Sequence, residues 1–143
     1  MADDHALVRQ GLRTLLGTEP AFQVVGEAED GSEALRQAVE FQPDVLITDL
    51  IMPGLHGFEV VLGVRQACAA TRIVVISMQS DEGYVTTAFR HGAMAYVCKD
   101  DLVRHLRAAV WAVLEGRCFW VPPRPQDARS ASVESPLPLE QTP

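Results

Sequence analysis

Three short apolar runs constrain this chain most: Val45-Leu46-Ile47, Val74-Val75-Ile76 and Ala95-Tyr96-Val97. Each is continuous rather than alternating, which suits a strand covered on both faces, as in a parallel sheet. Segments with apolar residues at helical spacing lie between them. Leu7, Val8, Leu12, Leu15 and Leu16 predict a helix over His5–Leu16, with Asp4 as N-cap and Gly17 as stop. Phe22–Ala28 is Val-rich and reads as a strand, Asp30-Gly31-Ser32 as a turn, and Glu33–Phe41 as a helix. Further helices are predicted over Phe58–Cys68, Asp81–His91 and about Asp101–Glu115, and strands over Arg72–Ser77 and Ala95–Cys98. Helices alternating with short buried strands predict an α/β fold whose right-handed crossovers cover both faces of a parallel sheet.

The pattern fails after Gly116. Phe119-Trp120-Val121 is apolar, and Pro122, Pro123, Pro125, Pro136, Pro138 and Pro143 then interrupt a stretch bearing Ser and Gln that cannot hold a core. Residues 1–121 are expected to form one domain and 122–143 a flexible tail.

With 143 residues the chain suffices for one domain with a real core. A formal charge of −7 argues against a surface that neutralises nucleic-acid phosphates. Cys68, Cys98 and Cys118 are odd in number and widely spaced, so they read as buried reduced thiols rather than a disulfide framework or metal site. The acidic start does not suit a signal peptide, and no apolar stretch reaches the length of a membrane span. A soluble cytoplasmic protein with no membrane partner is expected.

Ligands of open α/β sheets sit at the carboxyl ends of the strands. Asp49, Ser77 and Lys99 stand at or just after three such ends, and Asp3-Asp4 before the first helix adds two carboxylates at the same edge. Three carboxylates in one pocket need a cation, and hard oxygen donors suit Mg²⁺. Lys99 supplies a point charge for a phosphoryl oxygen and Ser77 a hydroxyl donor, so the set fits phosphoryl transfer to a carboxylate. Blander readings exist for each residue. Asp49 alone would be a turn former, Asp3-Asp4 an N-cap, Ser77 and Lys99 solvated strand ends, and Tyr96 a half-buried strand aromatic. His5 reads as a solvent-facing residue without chemistry, and His56, His91 and His105 are too dispersed to form a metal site.

The blocks Asp3-Asp4-His5, Asp49-Leu50-Ile51-Met52-Pro53-Gly54, Val74-Val75-Ile76-Ser77 and Tyr96-Val97-Cys98-Lys99 resemble the signature blocks of response-regulator receiver domains, most closely the NarL/FixJ type. The resemblance covers about residues 2–118. It implies a flavodoxin-like (CheY-like) doubly wound parallel sheet of order 2-1-3-4-5. It also implies that a sensor histidine kinase phosphorylates Asp49 and that Mg²⁺ is held by Asp3, Asp4, Asp49 and the backbone carbonyl of Ile51. Ser77 and Lys99 would contact the phosphoryl group, and the rotamer of Tyr96 would follow Ser77. The output would be changed protein contacts, with a homodimer through the first and last helices as one form; Trp111 on the last helix is expected to cover a core edge.

Departures from the family pattern shape the expectations. Ile51 is apolar where it can hinder water attacking an acyl phosphate, while Gln79 can orient that water. Only Met1 and Ala2 precede the acid pair, so the first strand is expected to be largely missing. Each unpaired inward-facing backbone group would cost about 1–3 kcal/mol, and a start assigned too far downstream or a truncated chain is the favoured explanation. Val133–Glu140 resembles the linker that precedes a DNA-binding helix-turn-helix, but no recognition helix follows, so no nucleic-acid binding is assigned to this chain. Two alternatives stand beside the switch: a non-phosphorylating interaction or dimerisation module, and a fragment of a DNA-binding transcriptional regulator. An aspartyl-phosphate phosphatase would want a second acid where Ile51 stands, so no enzyme is expected.

Overall fold

A computed structural model describes residues 1–122. The tail expected over 122–143 lies, beyond Pro122, outside the described residues. The elements run α1 (Ala6–Gly17), α2 (Gly31–Phe41), β1 (Val45–Asp49), α3 (Gly57–Ala67), β2 (Arg72–Ser77), α4 (Glu82–His91), β3 (Ala95–Cys98), a 3₁₀ turn (Lys99–Asp101), α5 (Leu102–Leu114) and β4 (Phe119–Trp120). Each predicted helix is present to within two residues at either end. The four strands form one parallel sheet in the order β1-β2-β3-β4, with Asp49 opposite Ile76 and Ser77 opposite Cys98.

Period-2 alternation along the strands divides the core. Leu46, Ile73, Val75 and Tyr96 face Ala34 and Ala38 of α2, Val60, Val61 and Val64 of α3, and Val85 and Ala88 of α4. Ile47, Val74, Ile76, Ala95 and Val97 face the other way, onto Leu12 and Leu16 of α1 and Leu106, Ala109, Val110 and Val113 of α5. Both faces are thereby covered, which is why the strands read as unbroken apolar runs.

The edge next to β1 corrects two expectations. Phe22–Ala28 is not a strand: among the described residues its only ladder element is a parallel bridge at Ala28. The first strand is reduced to one bridged residue, yet that residue is well held. Ala2 bridges Ala28 on one side and Thr48 on the other. Its N–H donates to the Ile47 carbonyl at 2.8 Å and its carbonyl accepts from Asp49 N–H at 2.9 Å, while Asp3 N–H donates to the Ala28 carbonyl at 3.1 Å. The backbone loss expected from a short first strand is therefore avoided at the end of the sheet where the site lies. Beneath Met1, where further strand would run, a cavity of about 450 Å³ opens between Val45–Ile47 and Phe22–Gly26.

Local signals explain the helix starts, with one correction. The N-cap of α1 is His5, not Asp4, and it makes no side-chain capping bond. Asp30 caps α2 by accepting from Glu33 N–H at 2.8 Å. His56 caps α3, its Nδ1 accepting from Phe58 N–H at 3.1 Å while Glu59 accepts from His56 N–H at 3.0 Å. The apolar Phe119-Trp120, which sequence left unassigned, adds a two-residue edge strand beside β3. The cysteines are free as expected, but only Cys68 is buried; Cys98 and Cys118 are half-buried.

Candidate functional site

The parallel register places three polar residues at one edge of the sheet. β1 ends at Asp49, β2 ends at Ser77, and Lys99 follows β3 by one residue, while Ala2 docks against β1 so that Asp3 emerges at the same edge. Lys99 Nζ lies 2.8 Å from Asp49 Oδ2 and 2.7 Å from Asp3 Oδ2. Both carboxylates are buried. Burial pushes the Asp49 carboxyl above its ordinary range; Lys99 and the Ile51 N–H pull it down, and Asp3 pushes it up again. The two carboxylates hold the Lys99 ammonium above its ordinary pKa despite its own desolvation.

Ile51 N–H donates to Asp49 Oδ1 at 3.2 Å. The Ile51 side chain is half exposed beside Asp49. Gly57, at the far end of this loop, donates to the Leu50 carbonyl at 3.0 Å. A Cβ at Gly57 would overlap the Leu50 backbone, so the return of the loop to α3 requires glycine there.

Asp4 is not drawn into the lysine bridge. Its carboxylate lies 3.2 Å from His5 Nδ1, and His5 N–H donates to Asp3 Oδ1 at 2.9 Å. One ligand atom each from Asp3, Asp4 and His5 lies within 4.8 Å of the others. His5, given no chemistry from sequence, thus belongs to the acid cluster although its ring is largely exposed. Arg9 braces the cluster from α1, donating to the Asp3 carbonyl at 2.7 Å. Nothing in the sequence pattern distinguished Arg9 from an ordinary surface arginine.

Ser77 is buried, and its Oγ accepts from Gln79 N–H at 2.9 Å. The Tyr96 hydroxyl donates to the Gln79 carbonyl at 2.7 Å. Tyr96 is fully buried rather than half-buried, and burial raises its phenol pKa well above the ordinary value. Gln79 therefore joins Ser77 to Tyr96 through its backbone.

Asp3 and Asp49 share the one ammonium and the Asp4 carboxylate stands beside Asp3, so carboxylate oxygens outnumber the positive charge at this edge. That donor set fits Mg²⁺ and not a soft metal.

A parallel α/β sheet with an acid pair, an aspartate, a hydroxyl and a lysine at its carboxyl edge is the arrangement of CheY-like receivers. The chain belongs to the response regulator receiver domain family, whose model matches residues 1–111. It is 35% identical over 116 residues to the transcriptional regulatory protein LiaR of Bacillus subtilis, covering 81% of this chain and 55% of that protein. It is 37% identical over 113 residues to the nitrate/nitrite response regulator protein NarL of Escherichia coli K12, covering 76% and 52%. A solved LuxR-family two-component response regulator from Aurantimonas sp. SI85-9A1 superposes with a TM-score of 0.81 at 36% identity, covering 90% of this chain and 92% of that one. The chain spans about half the length of the curated relatives it matches. Among the described residues no helix is long and apolar enough to cross a membrane.

Proposed function

We propose that this receiver accepts a phosphoryl group on Asp49 from the phosphohistidine of a sensor kinase and answers by changing its protein contacts. The single observation that carries the reading is the Lys99 ammonium held between the buried Asp3 and Asp49 carboxylates. In the transfer one Asp49 carboxylate oxygen attacks phosphorus and a P–O bond forms. The P–N bond to the kinase imidazole breaks, its electron pair staying on nitrogen.

Lys99 then exchanges its bond to Asp49 for one to a phosphoryl oxygen, and the Ser77 hydroxyl donates to another. Asp3, Asp4, Asp49 and the Ile51 carbonyl are the groups assigned to Mg²⁺, which when bound neutralises charge as it develops on the phosphoryl oxygens. Positioning and charge compensation supply most of the acceleration, since the protein moves no proton.

A new double charge at Asp49 competes for Lys99 and Ser77, and Ser77 is tied through Gln79 to Tyr96. That path supports Tyr96 as the switch residue. Leu7 on α1 and Val103 on α5 are strongly exposed large apolar residues, which supports a homodimer through these two helices. Trp111 of α5 packs on Phe22 at 5.1 Å between ring centres and is otherwise exposed.

Incubation with acetyl phosphate and Mg²⁺ tests the proposal. A mass gain of one phosphoryl group, absent from Asp49→Asn and lost on chelation, is expected. No gain in the parent chain identifies instead a non-phosphorylating interaction module.

A further inference from the structure

We propose that Trp120 is a positioning residue: its indole holds the Tyr96 ring inward and couples the Asp49 site to the chain that follows β4. The inference rests on the reading of Asp49 as acceptor given above. Trp120 stands opposite Tyr96 in the β3–β4 register, and their rings meet edge to face, 5.4 Å apart at 87°. This is a favourable arrangement of two aromatic quadrupoles. The Tyr96 phenol is gripped at both ends, by Trp120 at its ring and by the Gln79 carbonyl at its hydroxyl.

A second observation separates Trp120 from an ordinary edge plug. Its indole N–H is buried and, among the described residues, has no hydrogen-bond partner. Phenylalanine would fill the same space without leaving a donor unsatisfied. In this arrangement the indole grips Tyr96 at the expense of its own N–H, which turning outward would return to water. β4 is a two-residue edge strand whose Phe119 N–H donates to the Met94 carbonyl at 3.0 Å, so little ladder opposes that movement. Ser77, Gln79, Tyr96 and Trp120 therefore form a continuous contact path from the acceptor edge to the last described strand.

Coupling of this kind is reciprocal. Occupancy of the Asp49 site must alter the surroundings of Trp120, and loss of Trp120 must weaken binding at Asp49 by releasing Tyr96 and the Ser77–Gln79 turn. The test uses the full chain carrying Trp111→Phe, in which Trp120 alone emits, with beryllofluoride and Mg²⁺ as the probe. Bound fluoride is followed separately by its ¹⁹F resonance. The expected results are a shift of Trp120 emission on binding and affinity for the probe weakened by about two- to ten-fold in Trp120→Leu. Tyr96 ring resonances should move toward those of an exposed phenol in that variant, and Trp120→Phe, which keeps a ring, should restore both. Bound fluoride with unmoved Trp120 emission and unchanged affinity in Trp120→Leu would overturn the coupling while leaving Asp49 as acceptor. Absence of bound fluoride in the parent would count against the acceptor reading; Tyr96 resonances identical in parent and Trp120→Leu would still overturn the positioning role.

Discussion

Lys99 Nζ lies 2.8 Å from Asp49 Oδ2, yet the Asp49 carboxyl is held above its ordinary pKa. Burial above all, with the neighbouring Asp3, outweighs the attraction of the ammonium.

The sign of that shift makes a pH prediction. A carboxyl whose folded pKa exceeds its unfolded value binds its proton more tightly in the folded state. Asp49 therefore favours folding most at low pH and favours it less as pH rises from about 3.8 through its raised folded pKa. Asp49→Asn lacks this decline, so its thermal midpoint should gain on that of the parent across the same window and then run parallel. Lys99 acts in the opposite range: its contribution is complete below 10.5 and is lost as pH rises through its raised folded value. Melting curves of both proteins from acid to neutral pH check the first statement; a constant difference between them would refute it.

Ile51 is half exposed beside Asp49 and donates its N–H to Oδ1. Its branched side chain is expected to hinder water approaching an acyl phosphate there. Ile51→Asn should shorten the acyl-phosphate lifetime by about tenfold, roughly 1.4 kcal/mol in the hydrolysis barrier. Following the decay of phosphorylated protein by intact mass measures it, and an unchanged lifetime removes the shielding role.

Gly57 approaches the Leu50 backbone too closely for any Cβ. Gly57→Ala should destabilise the fold by about 1–3 kcal/mol, the range for forced overpacking. Because the displaced residue adjoins Asp49, phosphorylation should fall as well. Denaturant unfolding gives the first quantity and acetyl-phosphate labelling the second.

The cavity below Met1 predicts a gain of stability. Four Val or Ile residues fused ahead of Met1 would continue the line of Ala2 between Val45–Ile47 and Phe22–Gly26. Each buried side chain contributes about 1.5–3 kcal/mol against about 1–2 kcal/mol for ordering its backbone. The midpoint should rise by about 5–15 °C. Polar residues of equal number should give no such rise, and equal midpoints for the two extensions would show that the cavity does not accept a strand.

Much of the fold was legible because parallel strands and amphipathic helices write different periods into the chain. Leu12 and Leu16, or Ala34 and Ala38, recur at helical spacing, whereas Val74-Val75-Ile76 is unbroken because helices cover both faces. Phe22–Ala28 misled for the same reason: its valines carry strand propensity, but a strand needs a ladder partner, and beside Val24 and Val25 there is an open cavity. His5 displaced Asp4 as N-cap because Asp3 accepts the His5 N–H, which sets where the helix starts.

The sequence by itself determined the polar edge of the sheet, since Asp49, Ser77 and Lys99 each stand at or just after the end of an apolar run and a parallel sheet brings such ends together. Only the tertiary structure decided how Asp3 reaches them. Three residues are too few to show strand periodicity, and their position comes from hydrogen bonds to Ala28, Ile47 and Asp49, groups far away along the chain. The same holds for Gln79 and Trp120, whose parts rest on a backbone carbonyl and a ring angle that no residue spacing encodes.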